Sequence, residues 1–163
     1  GVVRVESEPG AGSTFLIYLP EVTSAADALP PSSPDASPGG HETVLLAEDD
    51  EMVRHNVSGV LRGAGYRVLE AKDGQDAVGL HSRNVGSIDL IVVDAVMPRK
   101  SGLQVYREIS ARDARVRVLF TSGYSRDVFP EEFFASGKHD LIAKPYSPEA
   151  LLAAVRAALT RAG

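Results

Sequence analysis

Short apolar runs alternate with helix-length amphipathic segments from about residue 42 to the end of the chain. Runs of this kind, rich in valine, leucine and isoleucine and bounded by polar residues, are typical of buried parallel strands. The predicted strands lie near 43–48, 66–71, 88–94, 116–121 and 140–143. The predicted helices lie near 51–64, 74–83, 102–111, 125–135 and 148–161. The alternation predicts an α/β fold of five strand-helix units around a parallel sheet.

A different pattern precedes this region. Residues 1–20 form two alternating strand-like runs joined by a glycine-rich turn, which predicts a β-hairpin. Residues 21–41 are rich in proline, serine and glycine, which cannot build a core, so this segment is predicted to be a linker. Because an isolated two-stranded hairpin is marginally stable in water, we expect the first 40 residues to be poorly packed.

Polar side chains suited to handling phosphate or a metal ion end four of the predicted strands. They are Glu48 with Asp49, then Asp94, Ser122 and Lys144. The carboxyl ends of parallel strands share one edge of a sheet, where ligands bind in open α/β folds, so one site is expected. Three carboxylates placed there would repel one another unless a cation lay between them. Mg²⁺ fits best, because it accepts carboxylate oxygens and keeps positions open for phosphate oxygens, which Lys144 would help to neutralise.

Each of these residues also has an ordinary explanation when taken alone. An aspartate such as Asp94 at a strand end is often a turn or cap residue, and Lys144 fits a solvated surface. The acidic stretch after residue 47 fits a charged helix start, which accounts well for Asp50 and Glu51. The ordered set of four points nevertheless favours a site. No site is predicted for the histidines, which show no ligand spacing: His41, His55, His81 and His139.

Composition narrows the function classes. The chain has 163 residues, of which 44% are apolar, enough for one ordinary core. A net charge of −5 and the lack of a basic run argue against a nucleic-acid surface. There is no cysteine, so neither disulfides nor thiolate metal sites are possible. No signal peptide or long apolar stretch appears, so no membrane contact is predicted in this segment and a cytoplasmic location is expected.

From residue 42 to 163 the ordered motifs resemble the receiver domain of two-component response regulators. The resemblance rests on LLAEDDEMVR, DLIVVDAVMPRKSG, VLFTSGY and IAKPYS. It implies a flavodoxin-like fold of five βα units, with a parallel sheet in the order 2-1-3-4-5 and the active edge at the switch point beside the first strand.

The resemblance also implies roles for individual residues. Asp94 matches the phosphoacceptor, and Glu48 and Asp49 match the acidic pair that binds Mg²⁺ together with Asp94. The backbone carbonyl of Val96 would complete the metal ligands.

Two further positions match groups that contact the phosphoryl oxygens. Ser122 matches the hydroxyl position because it directly precedes Gly123, whereas Thr121 should point to the other face of the strand. Lys144 matches the family's lysine, and the Lys144-Pro145 peptide bond is expected to be cis.

The N-terminal hairpin resembles the last segment of the ATP-binding domain of sensor histidine kinases, on the motif VESEPGAGSTFLIYLP. An incidental hairpin is the alternative. The resemblance places Gly10, Gly12, Ser13 and Thr14 beside the nucleotide lid of the parent kinase. The remainder of that domain is missing from this sequence, so the fragment is expected to lack kinase activity itself.

The leading interpretation is a phosphoacceptor receiver at the C-terminal part of a hybrid sensor histidine kinase. Its partners would be a histidine kinase or a histidine phosphotransfer domain, and its own kinase core is also a candidate. The receiver would catalyse its own phosphorylation and dephosphorylation, and the parent kinase can be membrane-anchored. The alternative is a receiver fold that docks partners independently of phosphate; a freestanding phosphatase ranks last.

Two departures from the receiver pattern affect how a signal would be passed on. Leu141 occupies the position, three before Lys144, that is usually aromatic in receivers that switch, so an aromatic rotamer switch is not expected. Arg99 and Lys100 replace the usual glycine after the acceptor loop proline. They are interpreted either as a docking site for a phosphodonor or as a solvated loop.

Overall fold

The computed structural model describes residues 1–19, 40–123, 129, 133 and 139–160. The chain divides into two compact units, Gly1–Asp35 and Ala36–Gly163. The division falls inside the segment 21–41, while the domain limits 1–20, 21–41 and 42–163 stay a prediction. None of the helices in the described ranges has the length and hydropathy needed to cross a membrane.

The first unit contains the predicted hairpin. Strand β1 (Val2–Glu8) pairs antiparallel with β2 (Gly12–Tyr18). Gly10 and Gly12 adopt φ angles of 81° and 97° in and after the turn, a conformation that only glycine adopts freely. Alternation along the strands gathers four apolar side chains on one face, and each is more than half exposed: Val3, Val5, Phe15 and Ile17.

The second unit is a parallel five-stranded sheet with flanking helices. Its strands are β3 (Thr43–Ala47), β4 (Arg67–Ala71), β5 (Leu90–Asp94), β6 (Val118–Ser122) and β7 (Asp140–Ala143). The spatial order is β4-β3-β5-β6-β7, which confirms the predicted order 2-1-3-4-5 counted from β3. The described helices are α1 (Glu51–Gly63), α2 (Gly74–Arg83), α3 (Gly102–Ser110) and α4 (Pro148–Thr160). The helix predicted at 125–135 lies outside the described residues, apart from Phe129 and Phe133.

Both faces of the sheet are buried, which explains why its strands are continuously apolar. On one face Leu45, Ile91 and Phe120 pack against α2 and α3. On the other face Val92 and Leu119 pack against α1 and α4. These five side chains are all 0% exposed. Two apolar layers therefore fix the central strands, and the strand ends stay at one edge of the sheet.

Two predicted strands are shifted by their end contacts. β5 begins at Leu90 rather than residue 88, because the Asp89 carboxylate accepts a hydrogen bond from the Thr43 N–H at 2.8 Å. The Asp89 N–H in turn donates to the Thr43 carbonyl at 2.9 Å. β6 extends to Ser122, and the Lys144 N–H donates to the Ser122 carbonyl at 2.7 Å. The ladder therefore continues to the point where the predicted site residues lie.

Side-chain caps start the helices at the same edge of the sheet. Asp50 accepts from the Val53 N–H at 2.9 Å at the start of α1. Asp73 accepts from the Asp76 N–H at 2.9 Å at the start of α2. Ser101 forms a capping box at the start of α3. Since each helix follows a strand, these caps lie around the carboxyl edge of the sheet.

Candidate functional site

The structure brings the polar strand ends to one edge of the sheet, as predicted. Glu48 follows β3, and Asp94 is the last residue of the adjacent strand β5. Ser122 is the last residue of β6, and Lys144 follows β7. Asp94 therefore lies on the central strand of the sheet, with the other groups on strands to either side.

Lys144 links two of the acidic residues directly. Its Nζ donates a hydrogen bond to Oε2 of Glu48 and another to Oδ2 of Asp94, each at 2.6 Å. The side chains are 22% exposed for Lys144, 4% for Glu48 and 12% for Asp94. The ammonium thus connects β7 to β3 and β5, in a pocket that admits little water.

Asp49 completes an acidic cluster. One carboxylate oxygen from each of Glu48, Asp49 and Asp94 lies within 4.8 Å of the others. Asp49 is exposed, whereas Glu48 and Asp94 are largely buried, so the cluster opens toward solvent on the Asp49 side. Three hard oxygen donors with one solvent-facing side fit a Mg²⁺ ion that keeps some of its water.

Burial and charge perturb the titration of this cluster. Burial raises the pKa of Glu48, and the nearby Asp94 and Asp49 carboxylates add to that effect, while the Lys144 hydrogen bond opposes it. Burial alone would lower the pKa of Lys144. Its hydrogen bonds to Asp94 and Glu48 more than compensate, so that the pKa of Lys144 is raised and the ammonium is retained.

The hydroxyl position is a strand end in which two neighbouring residues are buried. Thr121 is 2% exposed and pairs in register with Asp94, and Ser122 is 1% exposed and pairs with Ala143, next to Lys144. Successive side chains of a strand point to opposite faces, so these two hydroxyls lie on opposite faces of the sheet. The assignment of that role to Ser122 stays a prediction.

The loop after Asp94 is held closely to the sheet. The Val96 N–H donates to Oδ1 of Asp94 at 3.1 Å, and the Gly102 N–H donates to the Ala95 carbonyl at 3.1 Å. A Cβ atom at position 102 would lie 2.4 Å from the Asp94 carbonyl oxygen, so only glycine fits at the start of α3. Val96 is exposed beside the cluster, and its carbonyl as a metal ligand stays a prediction.

The two basic residues of this loop are paired within the domain. Arg99 forms an ion pair with the buried carboxylate of Asp73, and Lys100 pairs with Glu108. Arg99 adopts φ = 67°, the conformation that the usual glycine would adopt freely. The loop is therefore held to the domain by ion pairs while Arg99 stays 59% exposed, and both its docking role and the solvated-loop alternative stay predictions.

Two features of the site were not predicted. Arg54 donates hydrogen bonds to the main-chain carbonyls of Glu48 and Asp49. Before the structure, the only signal for this residue was its presence in the motif LLAEDDEMVR, to which no role was assigned. Tyr146 lies close to the cluster, where burial raises the pKa of its phenol. The Lys144-Pro145 bond is cis, as expected, and Leu141 packs against the core as an ordinary aliphatic residue.

These features define a flavodoxin-like α/β domain with an acidic pocket and a bridging lysine at the carboxyl edge of its sheet. The family model described as "Response regulator receiver domain" matches residues 44–156. The chain belongs to this family.

Known proteins agree with this assignment. The sensor kinase CckA of Brucella abortus is 32% identical over 169 aligned residues, which cover 99% of this chain and 18% of that protein. The chain spans 49% to 61% of the length of three further curated relatives, all response regulators or transcriptional regulatory proteins.

Solved structures show the same fold. The receiver domain of the hybrid histidine kinase CckA matches with a TM-score of 0.62 and 30% identity, over 72% of this chain and 99% of that one. A receiver domain protein from Clostridium thermocellum matches with a TM-score of 0.67 and 24% identity, over 72% and 94% of the two chains.

Proposed function

We propose that this receiver accepts a phosphoryl group on Asp94 from the phosphohistidine of a histidine kinase or a histidine phosphotransfer domain. The observation that carries the proposal is the contact of Lys144 Nζ with both Asp94 and Glu48 at 2.6 Å, with Asp49 in the same cluster. This arrangement supports a site in which Asp94 would be the nucleophile and Lys144 and a metal ion would supply positive charge.

In the reaction, a carboxylate oxygen of Asp94 attacks phosphorus and the phosphorus–nitrogen bond to the imidazole breaks. The product is an acyl phosphate, a covalent role that carboxylates are known to fill. Catalysis then depends on in-line placement and on neutralising the phosphoryl oxygens. Lys144 is close enough to Asp94 to provide one positive charge, and Ser122 would donate a hydrogen bond from its hydroxyl.

Glu48, Asp49, Asp94 and the Val96 carbonyl would hold the Mg²⁺ ion. When bound, the ion supplies positive charge that neutralises phosphoryl oxygens during transfer. The carboxylates support this role because burial and mutual repulsion raise the pKa of Glu48, so a cation would relieve an unfavourable charge. Lys144 relieves part of that charge, but within the described part of the chain its ammonium pairs with Glu48 and Asp94 and not with Asp49.

An apolar cleft beside Lys144 supports contact with a phosphodonor protein. Helix α1 contributes Val53 and Val57, and the loop before α4 contributes Pro145 and Tyr146. A phosphohistidine must approach Asp94 closely, and its protein would cover this cleft while doing so. Tyr146 lines this cleft, and burial raises the pKa of its phenol, with a smaller influence from Lys144, Glu48 and Asp94.

The wider context that we propose is the C-terminal part of a hybrid sensor histidine kinase in the cytoplasm. Similarity to the Brucella sensor kinase extends over 99% of the chain, including the hairpin and the linker segment. The apolar face of the hairpin is exposed, as expected for a piece of a larger domain. Residues 1–20 would then end the ATP-binding domain, 21–41 would be the linker and 42–163 the receiver.

Intact-protein mass spectrometry after incubation with acetyl phosphate and Mg²⁺ tests the proposal. We expect a gain of one phosphoryl group that is lost in EDTA and in Asp94→Asn. The asparagine variant keeps the size of the side chain, so circular dichroism should show an unchanged fold. Labelling that persists in Asp94→Asn would move the acceptor elsewhere, and a folded wild-type protein that binds Mg²⁺ without labelling would favour the phosphate-independent docking function.

A further inference from the structure

The main chain between β3 and α1 is held by an arginine side chain. After β3 ends at Ala47, the carbonyls of Glu48 and Asp49 accept hydrogen bonds from Nη1 of Arg54, at 2.8 Å and 3.3 Å. Arg54 is the fourth residue of α1, and its side chain is only 16% exposed. The guanidinium therefore reaches back from the helix to the loop that carries the acidic pair.

Arg54 is itself oriented by Glu70 on the neighbouring strand β4. Its Nε lies 3.8 Å from Oε2 of Glu70. Oε1 of Glu70 accepts a hydrogen bond from Ser58 Oγ at 2.8 Å and pairs with Arg62 Nη2 at 2.8 Å. A carboxylate with several partners is restrained in position, and it restrains in turn the planar guanidinium beside it.

The two carbonyls belong to the peptide bonds on either side of the Asp49 Cα atom. Fixing both peptide planes fixes both backbone dihedrals of Asp49, and hence the direction of its Cα–Cβ bond. Within the described part of the chain the Asp49 carboxylate accepts no hydrogen bond, and the residue is exposed. Its placement in the acidic cluster therefore depends on the main chain, which Arg54 holds.

We propose that Arg54 is a positioning residue that holds Asp49 in the geometry that binds the divalent cation, with Glu70 orienting its guanidinium. The inference rests on the proposed function and adds a residue that touches neither the metal nor the phosphoryl group. Outer groups that orient a metal ligand have large effects on affinity because a misdirected ligand must be reorganised upon binding.

Arg54→Met and Arg62→Met form a matched pair of variants. Both remove a guanidinium that pairs with Glu70 from the same helix, but only Arg54 contacts the carbonyls of the acidic pair. Mg²⁺ affinity of the full chain is measured by isothermal titration calorimetry well below the thermal midpoint of each variant. We expect Arg54→Met to weaken Mg²⁺ binding about tenfold, the lower end for loss of an outer-shell partner, and Arg62→Met to leave it unchanged.

A second readout needs no metal. The N–H groups of Asp49 and Asp50 share peptide planes with the two carbonyls that Arg54 binds. In metal-free nuclear magnetic resonance spectra we expect these two amide signals to move in Arg54→Met and to stay in place in Arg62→Met. If Arg54→Met does not fold, Arg54→Lys takes its place, since it keeps the charge but loses the planar guanidinium that binds both carbonyls through Nη1 and faces Glu70 through Nε.

The outcomes separate the two proposals. Wild-type protein that binds Mg²⁺, together with an Arg54 variant of equal affinity, would overturn the positioning role and leave the proposed function intact. Equal weakening by Arg54→Met and Arg62→Met would also overturn it, because the effect would then come from Glu70 or the helix. A folded wild-type protein with no Mg²⁺ binding would overturn the proposed function and this inference together.

Discussion

The buried carboxylate of Glu48 should destabilise the metal-free protein at neutral pH. Its side chain is 4% exposed and shares its pocket with Asp94. Burial raises its pKa above the ordinary value of 4.5 despite the hydrogen bond from Lys144. Glu48→Gln keeps the shape of the side chain and an oxygen that accepts from Lys144 Nζ, while it removes the charge. We therefore expect the variant to be more stable than the wild type when no divalent ion is bound.

The size of the effect follows from proton linkage. Each unit by which the folded-state pKa is raised costs about 1.4 kcal/mol of stability once the pH is above both pKa values. We expect Glu48→Gln to raise the free energy of unfolding by about 1 kcal/mol, since part of the gain is offset by a weaker hydrogen bond to Lys144. For a domain of this size that corresponds to a rise of roughly 3 to 6 °C in the thermal midpoint.

Thermal unfolding followed by circular dichroism in EDTA measures this difference as a function of pH. A carboxyl group with a raised folded-state pKa stabilises the protein fully at pH values below 4.5, and this contribution is lost as the pH rises through the raised pKa. The advantage of Glu48→Gln should therefore be absent in acid and should appear as the pH approaches neutrality. In excess Mg²⁺ the order should reverse, because the wild type gains more from binding.

Glu42→Gln is a control of opposite sign. The hydrogen bond from Arg156 lowers the pKa of Glu42, so its charge stabilises the protein above pH 4.5 and the benefit is lost as the pH falls. This variant should be less stable than the wild type at neutral pH, with a deficit that shrinks in acid. The reasoning about Glu48 is refuted if Glu48→Gln is the less stable protein at neutral pH in EDTA, or if its advantage does not shrink toward acid.

Two further substitutions test the surroundings of the site. Asp73→Ala removes both the cap of α2 and the partner of Arg99, so urea unfolding should show a free energy of unfolding lower by about 2 kcal/mol. Asp73→Asn still caps the helix and should lower it by about half as much. Equal losses in the two variants would show that the cap contributes nothing. Gly102→Ala places a Cβ atom 2.4 Å from the Asp94 carbonyl, so it should lower stability by roughly 1 to 3 kcal/mol and slow phosphorylation by acetyl phosphate. A Cβ atom at Gly59 on α1 meets open space, and alanine is favoured over glycine in a helix, so Gly59→Ala should raise the free energy of unfolding by about 0.5 to 1 kcal/mol. The steric argument is refuted if Gly102→Ala and Gly59→Ala change the free energy of unfolding in the same direction.

The parallel strands and the cluster were predictable because they depend on periodicity and on strand ends, whereas the sheet order was implied by the resemblance to receiver domains. Continuous apolar runs indicated strands buried on both faces, and the packing of Ile91 on one face and Val92 on the other bears this out. Glu48, Asp94 and Lys144 follow or end parallel strands, and the carboxyl ends of parallel strands share one edge of the sheet. These three residues are therefore brought to that edge regardless of the sequence of the helices.

Contacts made by long side chains were not predictable. Arg54 looks like any polar residue in the first turns of a helix, and only the path of the loop shows that it reaches the Glu48 and Asp49 carbonyls. Arg99 pairs with Asp73, a residue 26 positions earlier, because the ends of β4 and β5 bring two loops together. β5 begins at Leu90 rather than at the predicted residue 88 for a similar reason, since the Asp89 carboxylate accepts a hydrogen bond from the Thr43 N–H.

The loop after Asp94 begins and ends at nearly the same point, so substitutions and insertions within it should leave the position of Asp94 unchanged. Gly102 N–H and Ala95 C=O meet at 3.1 Å, so the chain leaves β5 and returns almost to the same point before α3 begins. Lengthening such a loop changes its closure entropy only slowly. Changes between Met97 and Ser101 should therefore be limited by the ion pairs of Arg99 and Lys100 rather than by the position of Asp94.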